Sequence, residues 1–217
     1  MRIATVYFDN YEPYAKILEL SVKRTMGIDI EMHRLPAPSS LDFRTTNNIK
    51  LQKWVSLAEQ DKEDLILCDA DLFFRKPIDP FDGFDIGITE IGYGNIPFNA
   101  GIIFLSGNKS RSFMRCWADI DSKMYTNTKF WQPYSKKYAG MNQASLGYIY
   151  EQKIYPIHTL PCSIYNACRL EHWQGDPSIV HVKSKLRRHL QGADQAPKRT
   201  QHIIGEFRAL ECDLRPN

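Results

Sequence analysis

Apolar positions along the chain fall into short dense runs separated by longer stretches of helical period. Residues 3–8 form one such run, rich in β-branched and aromatic side chains, and predict a buried strand. Asp9 and Asn10 end it, and Pro13 suits the first turn of a helix. Ala15, Leu18, Val22 and Met26 then recur at helical spacing until Gly27 stops them. Residues 28–35 alternate apolar with polar and predict a second strand, followed by a loop over 36–40. Leu51, Trp54, Val55 and Ala58 mark another amphipathic helix with a polar exit at 60–64. The wholly apolar run Leu65 to Cys68 suits a strand covered on both faces.

Pro77 and Pro80 interrupt the next segment. Strands are expected at 84–89 and at 98–105, the latter entered through Asn99-Ala100-Gly101, with a flexible Gly-rich loop at 92–95 between them. Phe113, Cys116, Trp117, Ile120 and Met124 give a helix for which Ser110 or Ser112 is the expected cap. Residues 125–138 are polar and aromatic without clear period. Met141, Ala144, Ser145 and Tyr148 predict a further helix, and 154–157 and 179–182 predict late short strands. Beyond Lys183 periodicity is weak, and no internal repeat is visible. Strands alternating with helices predict one α/β domain over 1–217 around a mainly parallel sheet. In such sheets ligands bind beyond the carboxyl ends of strands.

Composition narrows the picture. With 43% apolar and 24% charged residues the chain is not of the disordered class. The net charge of +3 does not argue for a nucleic-acid partner, and none is expected. Between His181 and Arg208, however, seven Lys/Arg stand against two acids, making 184–217 a basic segment. Such a segment suits phosphate, nucleic acid or an anionic membrane, so peripheral membrane contact stays open beside a solvated surface with no partner. The five cysteines contain no CxxC pair and are expected as free thiols in a reducing compartment. The opening residues are too short for a signal peptide and no run is long enough to span a bilayer, so a soluble cytoplasmic protein is expected.

The candidate chemistry begins at Asp69-Ala70-Asp71, directly after the apolar run. On an extended backbone residues two apart face one side, so both carboxylates could meet one ligand with Ala70 turned away. Two carboxylates this close repel unless a cation or shared proton intervenes, and oxygen ligands suit Mg²⁺ or Mn²⁺. The alternative is one Asp capping a turn and the other solvated. His181 at a strand end is either a packed histidine or a further ligand, and imidazole would favour Mn²⁺ over Ca²⁺. Lys183 and Lys185 follow closely enough to bind a diphosphate. Asn99-Ala100-Gly101 could admit a sugar to the backbone or form a structural turn. Asn142-Gln143 offers amides for hydroxyls or merely begins a helix, and Lys50 with Lys53 reaches a phosphate or stays solvated.

Asp-x-Asp after an apolar strand, Phe-Asn-Ala-Gly-Ile-Ile-Phe at 98–104, Asn-Gln at 142–143 and His-Val-Lys at 181–183 together resemble the retaining nucleotide-sugar glycosyltransferases of GT-A fold. The chain looks like the group that includes glycogenin and the bacterial lipopolysaccharide galactosyl- and glucosyltransferases, family 8. The resemblance runs from the first strand to about residue 185. It implies transfer of a hexose from a nucleotide diphosphate sugar, a UDP-sugar by preference, to a carbohydrate or glycolipid acceptor. It implies Asp69, Asp71 and His181 as metal ligands, and Tyr7, Asp9 and Asn10 near the nucleotide base. Lys50, Lys183 and Lys185 would meet the phosphates, and Asn99, Ala100 and Gly101 the donor sugar. Asn142 and Gln143 match an Asp-Gln pair near the transferred sugar; Gln143 would stabilise the sugar cation, with Glu90 as a second candidate. Two positions depart from the pattern: Asn142 replaces an acid, and Ser184 stands two residues beyond Val182 where the family has glycine. The rival readings are a non-catalytic nucleotide-sugar binder and a phosphatase of the haloacid dehalogenase type with Asp69 as nucleophile.

Overall fold

A computed structural model describes residues 1–36, 42–60, 63–78, 83–92, 97–192, 195 and 197–215. Strand β1 (Arg2–Phe8) leads through a 3-10 turn into helix α1 (Glu12–Met26). Pro13 occupies the first turn of α1, where an N–H would have no helical partner anyway. Gly27 closes the helix at φ 70°, donating its N–H to the Lys23 carbonyl. After β2 (Glu31–Leu35), helix α2 (Phe43–Ala58) starts at Asp42, whose carboxylate accepts from the Thr45 N–H at 2.8 Å. Four strands follow: β3 (Leu65–Cys68), β4 (Leu72–Phe74), β5 (Ile86–Glu90) and β6 (Phe98–Leu105). Three helices come next, α3 (Lys109–Thr126), α4 (Thr128–Tyr138) and α5 (Asn142–Glu151). The rest comprises β7 (His158–Pro161), α6 (Cys162–Tyr165), β8 (Ile179–His181), α7 (Ser184–Leu190) and α8 (Gln201–Asp213).

The main sheet has the order β2-β1-β3-β6-β5-β7. β6 runs antiparallel to both its neighbours, and the other pairings are parallel, so five of the six strands share one direction. Alternation along the strands fills both faces. Ala4, Val6, Leu65, Leu67, Ile103 and Leu105 pack under α2, α3 and α5 with Trp54 and Trp117. Ile3, Ile66, Cys68, Ile102 and Phe104 point the other way, against Leu18 and Val22 of α1. A sheet covered on both sides needs apolar residues at nearly every strand position, as β3 and β6 have. A separate two-stranded ribbon pairs β4 with β8 antiparallel, setting Leu72 opposite His181. Among the described residues no helix is long and apolar enough to cross a membrane.

Several expectations are corrected. β2 begins at Glu31, because pairing with β1 starts at Ala4 opposite Glu31; Ile28 and Ile30 pack without joining the ladder. Residues 125–138, where the sequence shows no clear period, are helical: α3 runs to Thr126 and α4 follows, capped by the Asn127 side chain accepting from Phe130 N at 3.1 Å. Its organising face is aromatic, with the Phe130 and Tyr134 rings 5.2 and 5.3 Å from Tyr148 of α5. Neither Ser110 nor Ser112 caps α3; each hydroxyl donates to the carbonyl three residues earlier. The expected strand at 154–157 is absent. Lys153 turns the chain at φ 52° and Pro156 has no N–H to give a ladder, so pairing with β5 starts at His158. The basic segment after residue 183 is not a plain solvated tail, for Ile203, Phe207 and Leu210 of α8 pack with Ile17 of α1 and Val180 of β8. Pro80 and most of the Gly-rich loop at 92–95 lie outside the described residues.

Candidate functional site

At the carboxyl end of β3 the chain leaves the main sheet. The Asp69 N–H still donates to Gly101 O of β6 at 2.7 Å, and then Ala70 and Asp71 make a turn into β4. The acidic pair therefore does not lie on one extended strand as expected, and Ala70 lines the same hollow as its neighbours. The turn and the ribbon register bring the carboxylates to a common partner. β8 sets the His181 ring with Nε2 3.0 Å from Asp71 Oδ1 and 3.7 Å from Asp69 Oδ2. His181 is 1% exposed, so its polar contacts are made inside the protein.

The second ring nitrogen of His181 fixes what the first can do. Nδ1 lies 2.9 Å from Asn166 Oδ1, which can only accept, so Nδ1 carries a proton. Asn166 itself is fully buried and anchored by its amide to Thr89 Oγ1 at 2.9 Å. Nε2 is then the nitrogen turned to the two carboxylates: it donates to Asp71, and a cation held between the three residues would take the place of that proton. One ligand atom from each of the three residues lies within 4.8 Å of the others. Two carboxylates and an imidazole suit a divalent ion of the Mn²⁺ or Mg²⁺ type. Gly101 makes the approach possible. A Cβ there would meet His181 Cε1 at 2.5 Å and Nδ1 at 2.8 Å.

Cations surround this cluster. Lys50 of α2 forms an ion pair with Asp69 and lies 4.5 Å from the Trp54 ring centroid. Arg187 of α7 donates to Asp71 Oδ2 at 2.6 Å and stacks near Tyr11 and Tyr14. Burial would raise the Asp71 carboxyl, but the His181 ring, its hydrogen bond, Lys183 and Arg187 outweigh it and hold the group at about 2.

Two cavities meet at the cluster. One, of about 550 Å³, includes Tyr7, Tyr11, Asp71, His181 and Arg187. The other, of about 640 Å³, includes Asn99, Ala100, Gly101, Asn142, Gln143 and Lys185. Asn47, Lys50, Asp69 and Lys183 line both. The structure thus gathers most of the sequence candidates. Glu90 is exposed and lines neither cavity, because β5 ends there against Phe98 and Pro161. Asp9 and Asn10 are likewise exposed on the 3-10 turn, where Asp9 binds Arg34 at 2.7 Å. Gln143 reaches the larger cavity, but its amide is held by backbone, donating to Tyr138 O at 2.6 Å and accepting from Ala100 N at 3.3 Å. Asn142 donates to Asn47 O at 3.1 Å, while its Oδ1 is buried with no partner among the described residues. Sequence reasoning missed Asn166 and Arg187, and also Asn47 and Glu171, which line the larger cavity. Arg187 shares a short basic helix with Lys185, which was a usable signal; Asn166 sits in irregular chain with none.

No protein-family model matches the chain, and no curated protein matches it in sequence. Its architecture does have counterparts among solved structures. The galactosyltransferase LgtC, solved with donor and acceptor sugar analogues, superposes with a TM-score of 0.65 at 14% identity over 100% of this chain and 97% of that one. A glycosyltransferase involved in glycosylation of the major capsid of PBCV-1 gives 0.62 at 14% identity over 93% and 98%. GlyE of Streptococcus pneumoniae TIGR4 gives 0.60 at 12% identity over 98% of this chain and 63% of its own. The chain has the GT-A glycosyltransferase fold.

Proposed function

We propose that the protein is a metal-dependent glycosyltransferase that moves a hexose from a nucleotide diphosphate sugar, a UDP-sugar by preference, to a carbohydrate or glycolipid acceptor. The observation that carries this is the position of Asp69, Asp71 and His181 at the junction of two cavities with shared cationic walls. A sugar nucleotide has that shape: a nucleoside and a sugar joined through a diphosphate. The smaller cavity, walled by Tyr7 and Tyr11, takes the nucleoside, and the larger takes the sugar. Asn99, Asn142 and Gln143 support the second half, since they line the larger cavity with amides suited to sugar hydroxyls. The donor set of Asp69, Asp71 and His181 would hold Mn²⁺ or Mg²⁺, which when bound supplies positive charge beside the departing diphosphate.

The chain's own residues do the rest. Lys50, Lys183, Lys185 and Arg187 stand around the junction and neutralise charge on the leaving diphosphate as the sugar–oxygen bond breaks. Asn99, Ala100, Gly101 and Asn142 orient the sugar. The Gln143 carbonyl, already fixed by Ala100 N, stabilises positive charge at the sugar ring. The acceptor hydroxyl attacks on the face the diphosphate leaves, and its proton passes to the departing phosphate oxygen, so configuration is retained. Asp69 is occupied by Lys50 and His181 at the end of the third strand, which favours this reading over a phosphatase nucleophile.

The test is thermal stabilisation by a panel of nucleotides and nucleotide sugars, with and without Mn²⁺, followed by release of free sugar from the donor that binds. A ligand at 100 times its dissociation constant stabilises by about 2.7 kcal/mol. The expected result is a Mn²⁺-dependent shift that Asp71→Ala abolishes, with slow donor hydrolysis. A shift indifferent to Mn²⁺ or to Asp71→Ala sinks the proposal; binding without any hydrolysis or transfer identifies a non-catalytic binder.

A further inference from the structure

We propose that Cys162, Cys168 and His172 form a second metal site, built for Zn²⁺ and separate in chemistry from the carboxylate cluster. The three residues follow the spacing Cys-x5-Cys-x3-His, on α6, the loop after it and the 3-10 turn at His172–Gln174. One ligand atom from each lies within 4.8 Å of the others. The two sulfurs are 3.9 Å apart. Two thiolates at about 2.3 Å from a tetrahedral Zn²⁺ lie about 3.8 Å from each other, so the pair is already at coordinating separation. Cys162 and His172 are buried and Cys168 is half-buried, lining the larger cavity.

Ligand type separates this site from the first. Thiolates select Zn²⁺ and discriminate against Mg²⁺ and Mn²⁺, which the carboxylates prefer. Binding ionises both thiols and releases their protons to solvent, giving a neutral Cys₂His–Zn²⁺ unit. The consequence reaches the active site. The loop closed by these ligands carries Asn166, which orients His181, while Cys168, Arg169, Leu170 and Glu171 line the larger cavity. A bound ion would brace the wall of the sugar cavity and the residue that fixes the His181 tautomer.

The test titrates Co²⁺ into metal-free, reduced protein, both wild type and Asp71→Ala, and follows thiolate-to-cobalt charge-transfer absorption. The expected result is a band saturating at one equivalent in Asp71→Ala and by two in the wild type, where the carboxylate cluster also takes Co²⁺; excess Zn²⁺ removes it and Cys168→Ser abolishes it. Zinc should also raise the melting temperature of the Asp71→Ala protein. No band in the wild type overturns the proposal, and that reading requires no variant to fold. A band that survives Cys168→Ser, or three titratable thiols instead of five in the unfolded, unreduced protein, overturns it in favour of another site or of a Cys162–Cys168 disulfide.

Discussion

Replacing Gly101 by alanine tests whether the strand glycine exists to seat the histidine. Its backbone lies outside the left-handed region, so the obstacle to a side chain is space alone. An added Cβ would stand 2.5 Å from His181 Cε1, where relaxed carbon contacts need about 3.5 Å. The ring must therefore shift by about 1 Å, against hydrogen-bond-length contacts at both nitrogens, 2.9 Å to Asn166 and 3.0 Å to Asp71. Overpacking of this kind costs about 1–3 kcal/mol of stability. Misaiming a metal ligand costs about 10–100-fold in ion affinity. Urea unfolding measures the first, and the free Mn²⁺ resonance during titration measures the second. The discriminating step is a cycle with His181→Ala. Once the ring is gone the nearest remaining contact is Asn99 Oδ1 at 3.0 Å, so Gly101→Ala should then cost under about 1 kcal/mol. An equal cost in both backgrounds, or Mn²⁺ affinity unchanged in Gly101→Ala, would refute the reasoning.

Asn166→Ala should leave the fold intact but weaken Mn²⁺ binding by about 10–100-fold, because His181 Nδ1 loses the acceptor that aims Nε2 at the two carboxylates; calorimetric titration checks it. Arg187→Ala should bind Mn²⁺ more tightly in the absence of nucleotide, since Asp71 Oδ2 is no longer shared, and bind nucleoside diphosphate more weakly. If both affinities fall together, the arginine is holding the site's shape instead. Burial raises the Asp121 carboxyl despite hydrogen bonds from Ser145 and Asn48. A raised carboxyl contributes stability that is present at low pH and lost as pH climbs through its folded-state value. Asp121→Asn should therefore remove part of the decline in stability above the ordinary carboxylate range, measured as urea midpoints against pH.

How far the sequence reads through to the site depends on the range of the interactions. β1, β3 and β6 are legible because a sheet buried on both faces leaves apolar runs no local alternative. Asp69, Asp71 and His181 are legible as residue types at strand ends. Their geometry is not, because it depends on the pairing of Leu72 with His181 across the ribbon, a contact between segments over a hundred residues apart. The same holds for Ala70, whose turn is forced by the change from one sheet to another and not by its own propensity. α4 escapes a hydrophobic period because its face is built of Phe130, Trp131 and Tyr134, with Pro133 among them. Asn166 leaves no trace at all. Its role is set by His181 and Thr89, each distant in the chain.

The ribbon also orders events in time. Asp71 and His181 are 110 residues apart, which at ribosomal rates of 5–20 residues per second is about 6–22 s of synthesis. Throughout that interval a nascent chain holds two adjacent carboxylates with neither the histidine nor Arg187 yet made. Lys50 has already been made, 19 residues upstream of Asp69, and is the counter-charge at hand while the half-built site waits. A charge-removing change at Lys50 should consequently lower the yield of folded protein from a cell-free translation more than it lowers the stability of the finished chain.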